Sequence, residues 1–501
     1  MDLAFPIERH AAFTPSKAAI RFAGENLDYG GLAARIHDAC GKLTALGVGQ
    51  GDVIAFLGFN HPEMLALLFA CARLRAILLP LNWRLTAIEH ARVLTDAKPR
   101  LVLVASDFLI HAQELRAGLP AARWLTLAGA PTGWLDWRTV TPRSPKRFAP
   151  AAAQESPVLL CYTSGSTGAP KGVVLSQGAL FFNAVNSAHM HDLTSADRVL
   201  TTLPMFHVGG LNIQTVPALH AGATVILHPK FDPEAAFDAI ERERVTLTVL
   251  VPAQLTAMMK LSRWQTADLS SVRVMTTGST IISEAFVRQV HERGVPLIQV
   301  YGSTETCPIA AYLRREDAHR KAGAAGLPAL YCDLRIVDDG GCDVPNGTDG
   351  EILVRGPSVM QGYWNAPEAS AAALRDGWYH SGDIGHFDYE GYLHVVARKH
   401  DLIISGGENI YPAEIENILM EHPAIVEACV VGCPDERWGE AVVAAVVLKP
   451  GVRLSAAEVI AMLDGRVARY KQPRAVHFVD SLPRSALGKV QREQLRATMA
   501  A

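Results

Sequence analysis

The chain has 501 residues, and its 47 lysines and arginines against 50 aspartates and glutamates give a formal net charge of −3. This length allows several domains of about 100–200 residues, or one large domain with a small one. The near balance of charge lacks the basic excess typical of a general nucleic-acid-binding protein, so we expect no nucleic-acid partner.

Cysteine usage and the amino terminus indicate an intracellular protein. The eight cysteines include no Cys-x-x-Cys pair, which argues against a zinc or disulfide framework and predicts a reduced, cytoplasmic chain. Residues 1–10 lack the charged and apolar regions of a signal peptide. The apolar stretches at 65–81 and 441–448 are too short or are interrupted by arginine, so we expect no transmembrane segment. Weak peripheral contact with a membrane and a homodimer are both left open.

The first 300 or so residues alternate short apolar strands with helices. The pattern predicts strands at 52–58, 76–80 and 101–104, with helices at 62–74 and 88–97. Further strands, with helices between them, are predicted at 199–203, 223–228, 247–251, 272–277 and 297–301. Apolar strands that alternate with helices indicate mostly parallel sheets covered by helices on both faces.

The pattern changes beyond residue 326. Strands at 333–337 and 351–355, joined by a turn-rich segment, predict a small antiparallel unit resembling a β-barrel. In the last hundred residues, strands at 402–404 and 441–448 and helices from 411 and at 455–470 indicate a separate α+β domain. The expected fold is therefore α/β: a large amino-terminal domain at 1–398, with mostly parallel sheets and the barrel-like unit, and a small mobile carboxy-terminal domain at 399–501.

The strongest chemical signal is the segment YTSGSTGAPKG at 162–172, which follows an apolar run at 158–161. Its hydroxyls, glycines and single lysine could wrap phosphate groups. It lacks the Gly-Lys-Ser/Thr ending of a P-loop, so the sequence does not indicate a P-loop kinase.

Residues 163–172 resemble the AMP-binding signature of the acyl-adenylating superfamily, which includes acyl-CoA synthetases, nonribosomal peptide adenylation domains and firefly-type luciferases. Six further segments resemble the family's other motifs, in the family's order. They are LPMFHV at 203–208, TGS at 277–279, YGSTE at 301–305, GWYHSGD at 377–383, RKHD with SGGENIYP at 398–401 and 405–412, and PRSALGK at 483–489. The resemblance spans nearly the whole chain and is closest in pattern to bacterial fatty-acyl-CoA ligases.

The resemblance implies an enzyme that uses MgATP to convert a carboxylic acid to acyl-AMP and then transfers the acyl group to coenzyme A. Glu305 is expected to hold Mg²⁺, which takes few carboxylates and keeps phosphate oxygens and waters. Thr304 is expected to bond the α-phosphate, and Lys489 to bring a mobile positive charge to the acyl-phosphate oxygens. With His207, these form the expected catalytic set, and ATP, Mg²⁺ and coenzyme A are the expected ligands.

The resemblance also implies a nucleotide site. Asp383 is expected to accept hydrogen bonds from the ribose hydroxyls, and Tyr301 to lie on the adenine face. The other expected nucleotide-binding residues are Thr163, Ser164, Gly165, Ser166, Thr167, Gly168, Lys171, Gly278, Ser279, Thr280, Gly302, Ser303 and Arg398. Ser405, Gly406, Gly407 and Glu408 are expected on the coenzyme A side.

Two histidines have alternative interpretations. His207 lies among Met205, Phe206 and Val208, where a satisfied core histidine is the default, but the resemblance favours a gate for the thiol. His400 stands where relatives commonly carry aspartate or lysine, at the joint about which the small domain rotates. One hypothesis is that it makes this exchange pH-sensitive near neutrality; the other is that any polar residue serves.

The acid is less well specified than the reaction. Expected pocket residues are Phe206, Val208, Gly209, Gly278, Gly302 and Cys307. The segments 207–212 and 307–311 contain no arginine or lysine to pair with a second carboxylate, and Gly209 with Gly210 leaves room for a long or aromatic tail. We predict a medium- or long-chain fatty acid, with a cinnamate- or benzoate-type acid as the alternative. Loading of a separate carrier protein, luciferase-like oxidation and a non-catalytic nucleotide-binding role are also left open.

Overall fold

The computed structural model describes residues 2–119, 121–144, 154–163, 170–279, 282–399, 401–405, 408–435, 438–467, 469–484 and 490–499. The chain divides into two compact units. The large unit comprises Met1–Ser279, Val290–Leu334 and Val354–His380, and the small unit comprises Thr280–Gln289, Arg335–Leu353 and Ser381–Ala501. A single domain boundary at 398/399 stays a prediction.

The strands are numbered here in chain order. In chain order the strands begin with β1 (Ala18–Phe22), β2 (Glu25–Asp28), β3 (Val53–Leu57), β4 (Ile77–Leu81), β5 (Leu101–Val104), β6 (Arg123–Thr126), β7 (Leu135–Asp136), β8 (Pro157–Thr163), β9 (Lys171–Ser176), β10 (Arg198–Thr201), β11 (Thr224–Leu227), β12 (Leu247–Val249), β13 (Val274–Gly278) and β14 (Leu297–Tyr301). They continue with β15 (Ala311–Tyr312), β16 (Leu327–Pro328), β17 (Asp333–Val337), β18 (Gly350–Arg355), β19 (Gly362–Tyr363), β20 (Leu374–Arg375), β21 (Trp378–Phe387), β22 (Leu393–Arg398), β23 (Ile403–Ser405), β24 (Glu408–Ile410), β25 (Ile425–Asp435), β26 (Gly439–Leu448) and β27 (Ala475–Phe478).

Helices separate most of the parallel strands. They are α1 (Phe5–Phe13), α2 (Tyr29–Ala45), α3 (Pro62–Leu74), α4 (Ala87–Ala97), α5 (Leu109–Arg116), α6 (Gln177–His191), α7 (Val208–Asn212), α8 (Thr215–His220), α9 (Pro233–Glu243), α10 (Pro252–Met259), α11 (Arg263–Thr266), α12 (Glu284–His291), α13 (Pro367–Ala373), α14 (Pro412–Met420), α15 (Ala456–Ala461) and α16 (Arg492–Met499). Within the described ranges, none of them combines the length and the apolar character that a membrane crossing requires.

Two mostly parallel sheets form the large unit. One has nine strands in the order β16-β15-β14-β13-β12-β10-β11-β1-β2, and the other has eight in the order β19-β9-β8-β4-β3-β5-β6-β7. In the eight-stranded sheet the inner strands β3, β4 and β5 are apolar, and every residue in them is buried. Strands buried on both faces need this continuous apolar composition, which is why the sequence pattern found them.

A third, curled sheet has the order β17-β18-β21-β20, with β22 beside β21, and a fourth has the order β24-β23-β26-β25, with β27 beside β26. The fourth sheet and α14 and α15 build the core of the small unit. The predicted fold class, α/β with a curled sheet and a small α+β domain, is confirmed.

One predicted helix is wrong in length. The expected helix at 455–470 ends at Ala461, and a short 3₁₀ turn follows at Arg469–Lys471. Gly465 has a φ of +70°, in the left-handed region that terminates helices. All eight cysteines are free thiols, and Cys342 is the exposed one.

Candidate active site

The predicted site residues of the large unit follow the carboxyl ends of its strands. Thr163 ends β8, Gly278 ends β13 and Tyr301 ends β14. β13 and β14 are parallel and place Gly278 opposite Val300, so their carboxyl ends share one edge of the sheet. Ligands of open α/β sheets bind at such edges.

Two glycines allow close backbone contacts at this edge. A Cβ on Gly278 would lie 2.6 Å from the carbonyl oxygen of Val300, and one on Gly302 would lie 1.8 Å from that of Pro308. Gly302 also has a φ of +155°. Any other residue would displace the loop that begins at Tyr301, so these glycines set its path. Ser279, with a φ of +73°, is also held in the left-handed region.

Glu305, the predicted metal ligand, lies in a 3₁₀ turn at Thr304–Thr306, and its side chain is 9% exposed. Its Oε1 accepts a hydrogen bond of 2.9 Å from the hydroxyl of Tyr363. Burial and the neighbouring Glu305 raise the pKa of Tyr363. The phenol therefore keeps its proton at neutral pH and donates a hydrogen bond to the carboxylate.

Lys171 lies beside the same tyrosine. It begins β9 opposite Thr163, whose Oγ1 donates to the Lys171 carbonyl at 3.4 Å. β9 also pairs with β19, where Val173 is opposite Tyr363. The Lys171 ammonium consequently lies 5.3 Å from the centroid of the Tyr363 ring, within cation–π range. Tyr363 thus contacts both a predicted phosphate-binding cation and the predicted metal ligand.

Tyr363 was not identified from the sequence. Its role depends on pairing between two strands about 190 positions apart, which no local pattern reports. The Gly362-Tyr363-Trp364 run, which places two large aromatic residues directly after a glycine, was the one available signal.

Among the described residues, no group of three or more histidines, cysteines, aspartates or glutamates could hold a metal ion. Glu305 is instead a single buried carboxylate whose one hydrogen-bond partner in the described ranges is a neutral phenol. This donor set fits Mg²⁺, which binds through one or two carboxylates and completes its shell with phosphate oxygens and water.

The predicted substrate wall surrounds a short helix. His207 caps α7, and its Nδ1 accepts a hydrogen bond of 3.0 Å from the Gly209 N–H, which places the proton of the neutral ring on Nε2. The Phe206 ring packs edge-on against Trp83, with centroids 6.3 Å apart, and the Arg84 guanidinium lies 4.7 Å from the Trp83 centroid. The imidazole is therefore held in a fixed orientation; its predicted gating role stays a prediction.

The expectation that Gly210 leaves room for the acid is wrong. A Cβ on Gly210 would lie 2.3 Å from the carbonyl oxygen of Pro204, so this glycine lets α7 pack against the preceding turn. At Gly209 the nearest atom to a Cβ would be the His207 Nδ1 at 3.2 Å. The pocket role of Gly209 stays a prediction.

Cys307 and two asparagines pack beside this wall. Cys307 is fully buried, and its Sγ lies 3.4 Å from the Asn212 Nδ2. Burial raises the pKa of Cys307 well above its ordinary value, so the thiol stays protonated and is not a nucleophile. Asn183 donates to the Asn212 carbonyl at 2.6 Å. The Oδ1 atom of Asn212 is buried and accepts no hydrogen bond from the described residues.

The remaining described loop residues sit around Tyr301. The Ser303 N–H donates to the Thr306 Oγ1 at 2.9 Å, and the Tyr301 carbonyl accepts from the Ala310 N–H at 2.9 Å. These two hydrogen bonds fix the turn that presents Glu305. Thr304 in this turn is buried, and Val208 of α7 is fully buried.

In the small unit, Asp383 of β21 is paired with Arg398 of β22, whose Nε lies 3.1 Å from the Asp383 Oδ1. Asp383 is 6% exposed, and its N–H donates to the Ser381 Oγ at 3.0 Å. The Ser381 hydroxyl also donates to the Ile352 carbonyl at 2.6 Å, so it links β21 to β18 beside Asp383. Ser405 is buried and pairs with Glu408 across β23 and β24.

Several predicted site residues lie outside the described residues. They are Ser164, Gly165, Ser166, Thr167, Gly168, Thr280, His400, Gly406, Gly407 and Lys489.

Comparison with known proteins places the chain in a family. Residues 7–364 match the AMP-binding enzyme model, and residues 414–489 match the model of the AMP-binding enzyme C-terminal domain. The chain is 56% identical to the indoleacetate–CoA ligase of Aromatoleum aromaticum, over 100% of this chain and 98% of that protein. It is 42% identical to the feruloyl-CoA synthase of an Amycolatopsis species, over 97% of each chain.

A solved structure agrees with these matches. The O-succinylbenzoate coenzyme A synthetase MenE of Bacillus subtilis, in complex with ATP and magnesium ion, is 33% identical to this chain. It superposes with a TM-score of 0.86 over 98% of this chain and 99% of that one. The chain belongs to the AMP-binding enzyme family.

Proposed function

We propose that the protein is an AMP-forming CoA ligase of aromatic carboxylic acids, with an acid of the indoleacetate or hydroxycinnamate type as substrate. The observation that carries the proposal is the 56% identity to an indoleacetate–CoA ligase along the whole chain. The similarity to a feruloyl-CoA synthase points to the same class. The aromatic alternative is thus better supported than the predicted fatty acid.

In the first half-reaction a carboxylate oxygen of the acid attacks the α-phosphorus of ATP, and pyrophosphate leaves. When bound, Mg²⁺ neutralises charge on the phosphate oxygens. Glu305 would hold that ion, with its own carboxylate oriented by the hydrogen bond from Tyr363. Lys171 and the hydroxyl of Thr304 bind the phosphates, and Lys489 is brought to the reacting oxygens.

In the second half-reaction the thiol of coenzyme A attacks the acyl carbon, and AMP leaves. His207, oriented by its hydrogen bond to Gly209, controls the approach of the thiol. Asp383 and Arg398 hold the ribose side of the nucleotide, and Ser405 lies on the coenzyme A side. The exchange between half-reactions occurs at the joint that contains His400.

The test is a panel of acids assayed for pyrophosphate release and for the acyl-CoA product by mass spectrometry. Indole-3-acetate, ferulate, phenylacetate, octanoate and palmitate are compared at equal MgATP, with and without coenzyme A. We expect kcat/KM for an aromatic acid to exceed that for octanoate at least tenfold. A preference for octanoate or palmitate would overturn the aromatic assignment, and pyrophosphate release without any thioester would overturn the ligase assignment.

A further inference from the structure

The described residues on either side of the predicted catalytic lysine are attached to each other and to the small unit. Arg484 and Val490 form an antiparallel bridge, and the N–H of Gln491 donates to the Pro483 carbonyl at 2.8 Å. Arg484 also forms an ion pair of 2.8 Å with Glu427 of β25. Val490 directly follows Lys489 in the sequence, so the described ends of this segment are attached to the sheet of the small unit.

Arg492, the first residue of α16, makes the largest set of these contacts. Its Nη1 and Nη2 lie 2.7 and 2.9 Å from the two carboxylate oxygens of Glu416 on α14. Nη1 also donates to the Val430 carbonyl of β25 at 2.6 Å and lies 3.4 Å from the Cys429 Sγ. Only arginine can place two parallel donors on one carboxylate and still reach a third acceptor.

The same guanidinium also reaches the turn that follows β22. Its Nε lies 3.7 Å from the Asp401 Oδ2. The N–H of Asp401 donates to the Arg398 carbonyl at 2.9 Å, so Asp401 belongs to the turn that leaves β22. Arg492 thus contacts α14, β25 and this turn at once, three residues after Lys489 in the sequence.

We propose that Arg492 is a positioning residue: by tying the start of α16 to α14 and to the turn after β22, it holds in place the chain on the carboxyl side of Lys489. The inference rests on the proposed function, in which Lys489 serves adenylation. Without Arg492 the chain that follows Lys489 would be held less firmly. The lysine ammonium would then be correctly placed at the acyl-phosphate oxygens less often. Misplacement of a reacting group by about 1 Å can cost about 10²-fold in rate.

The experiment separates the two half-reactions in the full-length protein. Arg492→Gln is assayed for pyrophosphate release with indole-3-acetate and saturating MgATP, and for thioester formation from supplied indoleacetyl-AMP and coenzyme A. Adenylation kcat should fall about 10²-fold while thioester formation stays within about twofold. Arg492→Lys keeps the positive charge but loses the two parallel N–H donors. Its adenylation kcat should fall about tenfold, with thioester formation unchanged.

Arg466→Gln is the matched control. Arg466 forms a fork of 2.6 and 2.9 Å with Glu421 in the same unit, but both side chains are about half exposed. Both half-reactions should be unchanged in this variant. A merely structural role for Arg492 would lower the two half-reactions in proportion, and either that result or unchanged adenylation would overturn the proposal.

Asp401→Asn keeps the proposal testable if Arg492→Gln fails to fold. It removes only the contact with the turn after β22, and it should lower adenylation several-fold without affecting thioester formation. Equal rates in Asp401→Asn and the wild-type protein would overturn the link to that turn. A wild-type protein that forms no acyl-AMP from any acid would instead refute the proposed function, so the two failures are distinguishable.

Discussion

Glu305 in the large unit and Glu416 in the small unit are both largely buried, but they are neutralised differently. Glu416 accepts a two-pronged hydrogen bond from the Arg492 guanidinium and a third hydrogen bond, of 2.7 Å, from the Val430 N–H. Among the described residues, Glu305 has only the neutral phenol of Tyr363 on its carboxylate. A carboxylate with a permanent cation holds structure together, whereas one with a neutral partner keeps its charge for a cation that arrives with the substrate.

The first prediction tests whether the charge of Glu305 serves catalysis. Glu305→Gln keeps an oxygen for Tyr363 but loses the charge, so pyrophosphate release should fall about 10²–10³-fold. The measurement is the rate of pyrophosphate release at saturating acid and ATP over a range of Mg²⁺ concentrations. Activity within threefold of the wild-type protein would refute the metal-ligand role of Glu305.

The second prediction tests whether Glu416 stabilises the small unit through its ion pair with Arg492. Glu416→Gln leaves Arg492, whose side chain is 24% exposed, without a full counter-charge. It should lower the free energy of unfolding of the small unit by about 2–4 kcal/mol, somewhat less than the loss of a partner from a fully buried pair. The urea midpoint, followed through Trp438, the small unit's tryptophan, reports this change. Glu421→Gln, which removes the exposed partner of Arg466, should cost no more than about 1 kcal/mol. Equal effects of the two substitutions would contradict the assignment of Glu416 as a structural anchor.

The third prediction concerns the pH dependence of the stability of the large unit. Burial lowers the pKa of His61, His90 and His191 in the large unit to about 4. The unfolded chain takes up these protons below about pH 6.5, whereas the folded chain does so only near pH 4. Stability is therefore complete above pH 6.5 and is lost as the pH falls towards 4, on the order of 3 kcal/mol for each histidine.

His61→Asn examines one of these groups without breaking its helix. His61 caps α3 by accepting from the Glu63 N–H at 3.0 Å, and asparagine caps equally well. Between pH 6.5 and 4 the variant should lose stability less steeply, by up to about 1.4 kcal/mol per pH unit. Parallel slopes in His61→Asn and the wild-type protein would contradict the prediction.

Sequence patterns predicted residues that lie in short motifs better than the partners that those residues find in the fold. Glu305 and Lys171 lie in short motifs whose residue types match their chemistry, and buried parallel strands are visible as apolar runs. Tyr363 and Arg492 were missed because their partners are set by pairing between distant elements, β9 with β19 and α16 with α14. Gly210 was assigned to the pocket because a sequence cannot show which way an absent side chain would point.

The smallest expected effect comes from Tyr363→Phe, which sharpens the comparison without removing either charge. The substitution keeps the ring beside Lys171 but deletes the hydrogen bond that orients the Glu305 carboxylate. One such hydrogen bond is worth about 1 kcal/mol, so the Mg²⁺ concentration for half-maximal pyrophosphate release should rise about three- to tenfold. Thioester formation from supplied acyl-AMP should not change, because it needs no bond at the α-phosphorus to form. If the Mg²⁺ dependence were unaltered, the phenol would be a packing group, and Glu305 would have to be oriented by its backbone turn alone.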